Sequence, residues 1–129
     1  EKVILYGESL GCGIAVRAAS ERYFSAVILE APYTSIADVA QRQFWFLPVR
    51  WLVRDRYDTL AIINRITSPV VVMHGEQDDV IHVSFGKRVF EAAPEPKAAW
   101  FFEGAGHNNL KEFGFDTRLL DYLQRNHSR

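Results

Sequence analysis

The sequence has only one cysteine, Cys12, among its 129 residues. A single cysteine excludes an intrachain disulfide and a metal site built from several thiolates. An excess of charge of one sign is also absent, because 15 basic and 16 acidic residues leave a net charge of −1. The sequence therefore gives no electrostatic reason to expect a nucleic acid or an anionic membrane surface as a partner.

Long apolar runs are missing as well. No stretch approaches the roughly 18 apolar residues that span a bilayer, and no segment has the pattern of a signal peptide. We expect a cytoplasmic location. The chain opens on Glu1 and Lys2 directly before an apolar run, without an initiator methionine, and we expect it to be a piece of a longer protein. Its length has room for one domain, residues 1–129.

Short apolar runs alternate with helical patterns along the chain. Four buried strands are predicted at residues 3–6, 26–29, 69–74 and 98–102, and three helices at 10–22, 83–93 and 110–124. On the first helix Leu10, Ile14 and Ala18 form one apolar stripe. On the last helix the predicted inner face is Leu119, Leu120 and Leu123, and Gly114 is expected to interrupt its first turns. Strands that are apolar on both faces, with helices between them, favour an α/β fold with a parallel sheet covered by helices on both sides.

A longer segment, residues 33–68, separates the second and third predicted strands, and we predict that it is a lid-like insertion. Its residues 44–54 are the most aromatic part of the chain. One interpretation is a cover that binds acyl chains or contacts a membrane, since arginines are interleaved with the apolar residues. A short helix packed on the core and a surface for a protein partner are the alternatives. The candidate substrate or lid residues are Phe44, Trp45, Phe46 and Trp51.

Residues 7–11 read Gly-Glu-Ser-Leu-Gly and lie between a predicted strand and a predicted helix. The pattern G-x-S-x-G in this context is typical of a nucleophilic serine on a sharp, strained turn. We expect positions 7 and 11 to need a small residue, here glycine, because strand and helix pack closely there. The N-terminus of the predicted helix, with its free N–H groups, would stabilise the oxyanion that forms during acyl transfer. The backbone N–H of Leu10 is the predicted donor to that oxyanion. The alternative is an ordinary glycine-rich turn with an incidental serine at Ser9.

An acid and a histidine follow at the ends of later strands. Asp78 comes shortly after the third predicted strand, with Asp79 as its rival, and His107 follows the fourth strand through a glycine-rich stretch. Because parallel strands end at the same edge of a sheet, these groups and Ser9 should meet there. His107 would then act as a general base that an aspartate orients.

The other three histidines are weaker catalytic candidates. His74 lies at a strand end and is interpreted as a packed or hydrogen-bonded core residue. His82 opens a predicted helix, and His127 lies in the C-terminal tail.

Serine, acid and histidine in this chain order resemble the α/β-hydrolase superfamily, from its nucleophile strand to its last helix. Residues 6–11, 74–81 and 104–108 are most similar to a branch with bacterial serine aminopeptidase-like hydrolases and eukaryotic relatives, some of which remove palmitoyl groups from proteins. The resemblance implies that Ser9 is the nucleophile, Asp78 the orienting acid and His107 the base. It also implies cleavage of an ester, thioester or amide of a small-molecule or acylated substrate through an acyl-enzyme, without metal or cofactor.

One departure from that superfamily concerns the N-terminal half of its fold. Four strands that precede the nucleophile strand, and an early loop that supplies a second oxyanion N–H, have no counterpart in these 129 residues. Loss of one such donor costs roughly 3 kcal/mol in the transition state. The strand at residues 3–6 would form an open apolar edge that invites association with another chain. We expect the C-terminal half of a serine hydrolase, inactive or nearly so alone; a serine peptidase and a non-catalytic fragment are the alternatives.

Overall fold

The computed structural model describes residues 2–46, 48 and 58–127. Its sheet has four parallel strands in the order β1-β2-β3-β4, which are Ile4–Glu8, Ala26–Glu30, Val70–Gly75 and Lys97–Phe102. Parallel strands paired in chain order bring all four C-terminal ends to one edge of the sheet. The predicted α/β class with a parallel sheet is confirmed.

Five helices accompany the sheet in the described ranges: α1 Gly11–Glu21, α2 Ile36–Gln43, α3 Thr59–Ile62, α4 Val83–Ala92 and α5 Phe115–His127. Two short 3₁₀ turns, Ile63–Arg65 and Leu110–Phe113, precede β3 and α5. The helices α2 and α3 lie within the segment predicted as a lid-like insertion. Each begins at a capping side chain, because Ser35 accepts a hydrogen bond from the Asp38 N–H and Asp58 from the Ala61 N–H. None of the helices described is both long and apolar enough to cross a bilayer.

The core has two halves, one on each face of the sheet. Val27, Leu29, Val70 and Val72 point toward α1 and α4, whereas Ala26, Ile28, Val71 and Met73 point toward Trp100, Leu110 and α5. This alternation follows from the two-residue period of a strand. Every residue of β2 and β3 is buried, so helices cover the centre of the sheet on both faces.

Of the apolar stripe predicted on α1, only Ala18 packs against the core. Leu10 and Ile14 are exposed, and the helix instead buries its small residues, Cys12, Ala15, Val16 and Ala19 among them. Close approach of α1 to β1 explains the choice, because a Cβ at Gly7 would lie only 2.8 Å from the Cβ of Ala15. A helix that lies this near a strand has no room for the larger side chains.

The first strand is also less buried than predicted. Val3, Ile4 and Tyr6 are each about two-fifths exposed. In the described sheet β1 pairs only with β2, so one of its edges has no strand beside it. An edge strand with apolar side chains is a surface on which another strand can pair.

The last predicted helix is interrupted. Gly114 adopts a left-handed backbone with φ of +79°, which ends the 3₁₀ turn before α5 begins at Phe115. Leu119 and Leu123 pack against the core as predicted, but Leu120 is 60% exposed. The inner face of α5 therefore follows positions 119 and 123 and excludes position 120.

Alanine at Gly7 and at Gly11 should affect stability differently. We expect Gly7→Ala to lower the free energy of unfolding by about 1–3 kcal/mol, because its Cβ would force α1 away from β1. A Cβ at Gly11 meets no described atom within 4 Å, so close packing does not require that glycine. We expect Gly11→Ala to be neutral or to stabilise by up to about 1 kcal/mol. Denaturant titrations followed by circular dichroism measure both; equal losses would contradict this packing.

Candidate active site

Ser9 lies on the sharp turn between β1 and α1. Its φ is +52°, a left-handed conformation that is uncommon for a residue with a side chain. Two backbone hydrogen bonds hold it: the Ser9 N–H donates to the Glu30 carbonyl at 2.8 Å, and the Cys12 N–H donates to the Ser9 carbonyl at 3.0 Å. Hydrogen bonds to β2 and to α1 thus hold the strained backbone of Ser9 in place.

Side chains beneath the turn add to its rigidity. The Cys12 thiol donates to the carbonyls of Gly7 and Glu30, at 3.3 and 3.2 Å. Burial, with the charge of Glu30, raises the pKa of Cys12, so this thiol stays protonated and serves as a donor rather than a nucleophile. The Tyr33 hydroxyl donates to the Leu10 carbonyl at 3.0 Å and so holds the peptide that follows Leu10.

Ser9, His107 and Asp78 meet at the C-terminal edge of the sheet. The Ser9 Oγ lies 3.1 Å from His107 Nε2, and His107 Nδ1 lies 2.7 Å from Asp78 Oδ2. A carboxylate only accepts, so Nδ1–H donates to Asp78 and leaves Nε2 to accept the hydroxyl hydrogen of Ser9. Three residues predicted from separate motifs are thus joined by two hydrogen bonds. Their catalytic roles stay predictions.

The Asp78 carboxylate is buried, with none of its side chain exposed, whereas its rival Asp79 is exposed. Asp78 Oδ1 accepts hydrogen bonds from the N–H groups of Val80 and Ile81, at 2.9 and 2.8 Å. Burial would raise the pKa of Asp78, but the nearby ring of His74 and the hydrogen bonds from His107 and the Ile81 N–H outweigh it and lower the pKa to about 2. This carboxylate is therefore ionised at neutral pH.

The loop that carries His107 rests directly on the end of β3. The Gln77 N–H donates to the Ala105 carbonyl at 2.8 Å, and a Cβ at Gly75 would lie only 2.4 Å from that same oxygen. Glycine at position 75 therefore lets the two loops touch backbone to backbone. This contact keeps His107 within reach of Asp78.

Sequence reasoning missed a buried carboxyl group at the same edge. The Tyr6 hydroxyl donates to Glu30 Oε2 at 2.5 Å, and Glu30 is only 7% exposed. Burial raises the pKa of Glu30, and the hydrogen bond from Tyr6 partly opposes that rise. The pair also ties β1 to β2 beside Ser9. The available signal was an acid at the end of an otherwise apolar strand.

The aromatic residues after α2 point away from the core. Phe44, Trp45 and Phe46 are 47%, 79% and 63% exposed, so the interpretation that they pack onto the core is wrong. Trp45 lines a cleft of about 720 Å³ between α2 and α4. The fourth lid candidate, Trp51, lies outside the described residues.

A smaller cleft of about 220 Å³ opens beside Asp78 and is lined by α2 and the start of α4. The predicted oxyanion residue Leu10 precedes the first turn of α1 and has an exposed side chain. Across the described ranges, no three His, Cys, Asp or Glu side chains are arranged to hold a metal ion. The expectation that no cofactor is needed stays a prediction.

The chain is similar in sequence to part of several longer proteins. No family model matches the chain. An uncharacterised protein of Mycobacterium tuberculosis is 36% identical over 120 residues, which are 93% of this chain and 40% of that protein. Alpha/beta hydrolase domain-containing protein 17B of Homo sapiens is 36% identical over 129 residues, 97% of this chain and 40% of that protein. The chain therefore spans about 40% of the length of the curated relatives it matches.

A solved structure shares the fold. The esterase RhEst1 from Rhodococcus sp. ECU1013 superposes with a TM-score of 0.73 at 18% sequence identity, over 95% of this chain and 65% of the esterase. The similarity at this low identity is one of fold.

The low pKa of Asp78 predicts an acid-dependent contribution to stability. Its folded value of about 2 lies below its ordinary value of 3.8, so ionisation favours the folded state. That contribution is complete above the ordinary value and is lost as the pH falls toward 2. Between about pH 6 and about pH 2, the unfolding free energy of the wild type should fall about 2 kcal/mol further than that of Asp78→Asn. Asp79→Asn should follow the wild type; an Asp78→Asn curve parallel to the wild type would contradict this assignment.

Proposed function

Because the chain belongs to the α/β-hydrolase superfamily, we propose that it carries the catalytic residues of a serine hydrolase for carboxylic esters or thioesters. The observation that supports this most is the pair of hydrogen bonds that joins Ser9 to His107 and His107 to Asp78. Each residue follows a different strand, and the strained turn at Ser9 presents the hydroxyl at the shared edge. We also propose that the chain belongs to the serine aminopeptidase-like and depalmitoylase-like branch, which its motifs resemble.

In the proposed first half-reaction, Ser9 Oγ attacks the carbonyl carbon of the substrate while its proton passes to His107 Nε2. The ionised Asp78 carboxylate stabilises the resulting imidazolium and keeps its Nδ1–H in place. The oxyanion of the tetrahedral intermediate lies at the start of α1, where the Leu10 N–H donates to it. His107 then gives the proton to the leaving alcohol or thiol.

The second half-reaction releases the acid and restores the serine. A water molecule attacks the Ser9 acyl ester, and His107 accepts its proton. The tetrahedral intermediate collapses with return of that proton to Ser9 Oγ. Because the steps need only an acid–base pair and an oxyanion donor, this proposal requires no cofactor.

The exposed aromatic run suggests what the acyl group contacts. Phe44, Trp45 and Phe46 lie directly after α2, and Trp45 lines the cleft between α2 and α4. We propose that these three side chains, with Trp51, receive an apolar acyl chain or contact the membrane that holds it. Exposed aromatic residues in a cluster are typical of surfaces that bind apolar groups.

The free edge of β1 limits what the chain does by itself. Val3, Ile4 and Tyr6 are part-exposed there, and the chain matches only 40% of the length of its relatives. We propose that further strands, from a longer polypeptide or a second chain, complete the sheet and supply a second oxyanion donor. Hydrolysis by the 129 residues alone is then expected to be weak.

Substitution of the proposed catalytic residues tests this function. With p-nitrophenyl acetate and butyrate, Ser9→Ala should lower kcat by at least about 10³-fold, because the nucleophile is removed. Asp78→Asn should lower kcat at least about 10²-fold, since an amide no longer stabilises the imidazolium. Asp79→Asn is the matched control and should retain wild-type rates. The assay is made on the 129-residue chain and on the chain extended upstream along its coding sequence; equal rates for Ser9→Ala and wild type in both would contradict the proposal.

Removal of the exposed aromatic groups tests the acyl-binding surface. The triple variant Phe44→Ala, Trp45→Ala, Phe46→Ala should raise KM for a twelve-carbon acyl ester about tenfold or more, because it loses apolar contact area. Rates on the acetate ester should stay within about twofold. Matched losses on short and long esters would show instead that the three residues support the fold.

A further inference from the structure

We infer that His74 is a positioning residue that holds the carboxylate of Asp78 in place through its Nε2–H. The inference rests on the proposed function of Asp78 as the acid that orients His107. Sequence reasoning placed His74 in the core, and its burial confirms that placement, since none of its surface is exposed. Its contact with Asp78 goes beyond packing.

Hydrogen-bond chemistry fixes which ring nitrogen of His74 carries the hydrogen. The Nε2 atom lies 2.7 Å from the carbonyl oxygen of Ile81, and a carbonyl oxygen only accepts. Nε2 must therefore be the donor. The same nitrogen lies 3.3 Å from Asp78 Oδ2, so its hydrogen is placed between two acceptors on one loop.

The second ring nitrogen explains why the ring keeps this orientation. His74 Nδ1 is buried and has no hydrogen-bond partner in the described part of the chain. Helix α4 packs against it at Gly86, where a Cβ would lie 2.3 Å from Nδ1. A ring turned to point Nε2 at α4 would leave its donor without an acceptor, which is unfavourable for a buried group. The packing therefore selects the orientation that faces Asp78.

The consequence lies in how the two oxygens of Asp78 are held. Oδ1 accepts from the backbone of its own loop, and Oδ2 accepts from His107 and faces His74. In the proposed reaction His107 gains and loses a proton in each cycle. A second donor that takes no part in the chemistry keeps Oδ2 aimed at His107 throughout, and a displacement of about 1 Å at such a site costs about 10²-fold in rate.

Asp78 itself supplies a readout that does not depend on activity. Selective ¹³C labelling of aspartate side chains follows its protonation by NMR, with Asp78→Asn to identify the resonance. In the wild type Asp78 should remain ionised at about pH 4, in keeping with its low pKa. In His74→Leu it should take up a proton at a higher pH, because burial persists and one donor is lost. His74→Gln, whose amide reaches about as far as Nε2, should restore the wild-type titration.

Kinetic measurements distinguish a role of His74 in positioning Asp78 from a role in the stability of the fold alone. His74→Leu should lower kcat about 10²-fold with KM little changed, and the acidic limb of the pH profile should move to higher pH. His74→Gln should recover most of kcat. The exposed His82 offers a matched control, and His82→Gln should retain the wild-type profile. Rates are normalised to the folded fraction measured by circular dichroism, so partial unfolding does not imitate the effect.

Substitution of Gly86, which packs against the His74 ring, gives a second test of the same inference. Gly86→Ala should displace His74 and lower kcat when made alone, but should add little in a His74→Ala background, where the ring is gone. Additive losses would overturn the inference. An Asp78 titration that is unchanged in His74→Leu would also overturn it, whatever the activity. If the chain extended upstream along its coding sequence hydrolyses no ester, as wild type or variant, while the Asp78 titration shifts as expected, the proposed function fails and the hold of His74 on Asp78 stands.

Discussion

The buried carboxylate of Asp78 is the interaction on which the site depends. Its oxygens accept hydrogen bonds from its own loop through Val80 and Ile81, and from His107, and His74 lies beside it. These partners come from β3, the loop before α4 and the loop after β4. A charge without water around it is stable only when such donors surround it, so the ionised form of Asp78 depends on the contacts that these three segments make at the edge of the sheet.

Backbone geometry makes that arrangement possible. Strands β3 and β4 run side by side, and glycine at position 75 lets the loop before His107 lie on the end of β3. On the other side, the Ser9 N–H bonds to the Glu30 carbonyl, so β2 supports the strained turn that follows β1. Backbone contacts between neighbouring segments thus support both the turn at Ser9 and the loop that carries His107.

The parallel sheet and the meeting of Ser9, Asp78 and His107 were predictable because the motifs follow apolar runs and parallel strands share an edge. The face of α1 was not, because the pattern of large residues at Leu10 and Ile14 competes with an equally periodic pattern of small ones. Only the close approach to β1 decides between them. The Tyr6–Glu30 pair joins residues 24 positions apart, whose proximity no local pattern encodes. His74 and Asp78 are only four residues apart, but their contact depends on the shape of the turn between them, which the sequence did not predict. The break at Gly114 was predictable from the identity of that residue, and the structure adds its left-handed backbone angle.

Covalent labelling of Ser9 tests the central claim most directly. The protein, with whatever residues its gene encodes ahead of Glu1, is treated with a fluorophosphonate and the modified residue is identified by mass spectrometry. We predict a single adduct on Ser9 that forms much more slowly in His107→Asn, because His107 takes the proton from the hydroxyl. An unmodified Ser9, or an adduct that forms equally fast without His107, would contradict the assignment of Ser9 as a nucleophile activated by His107.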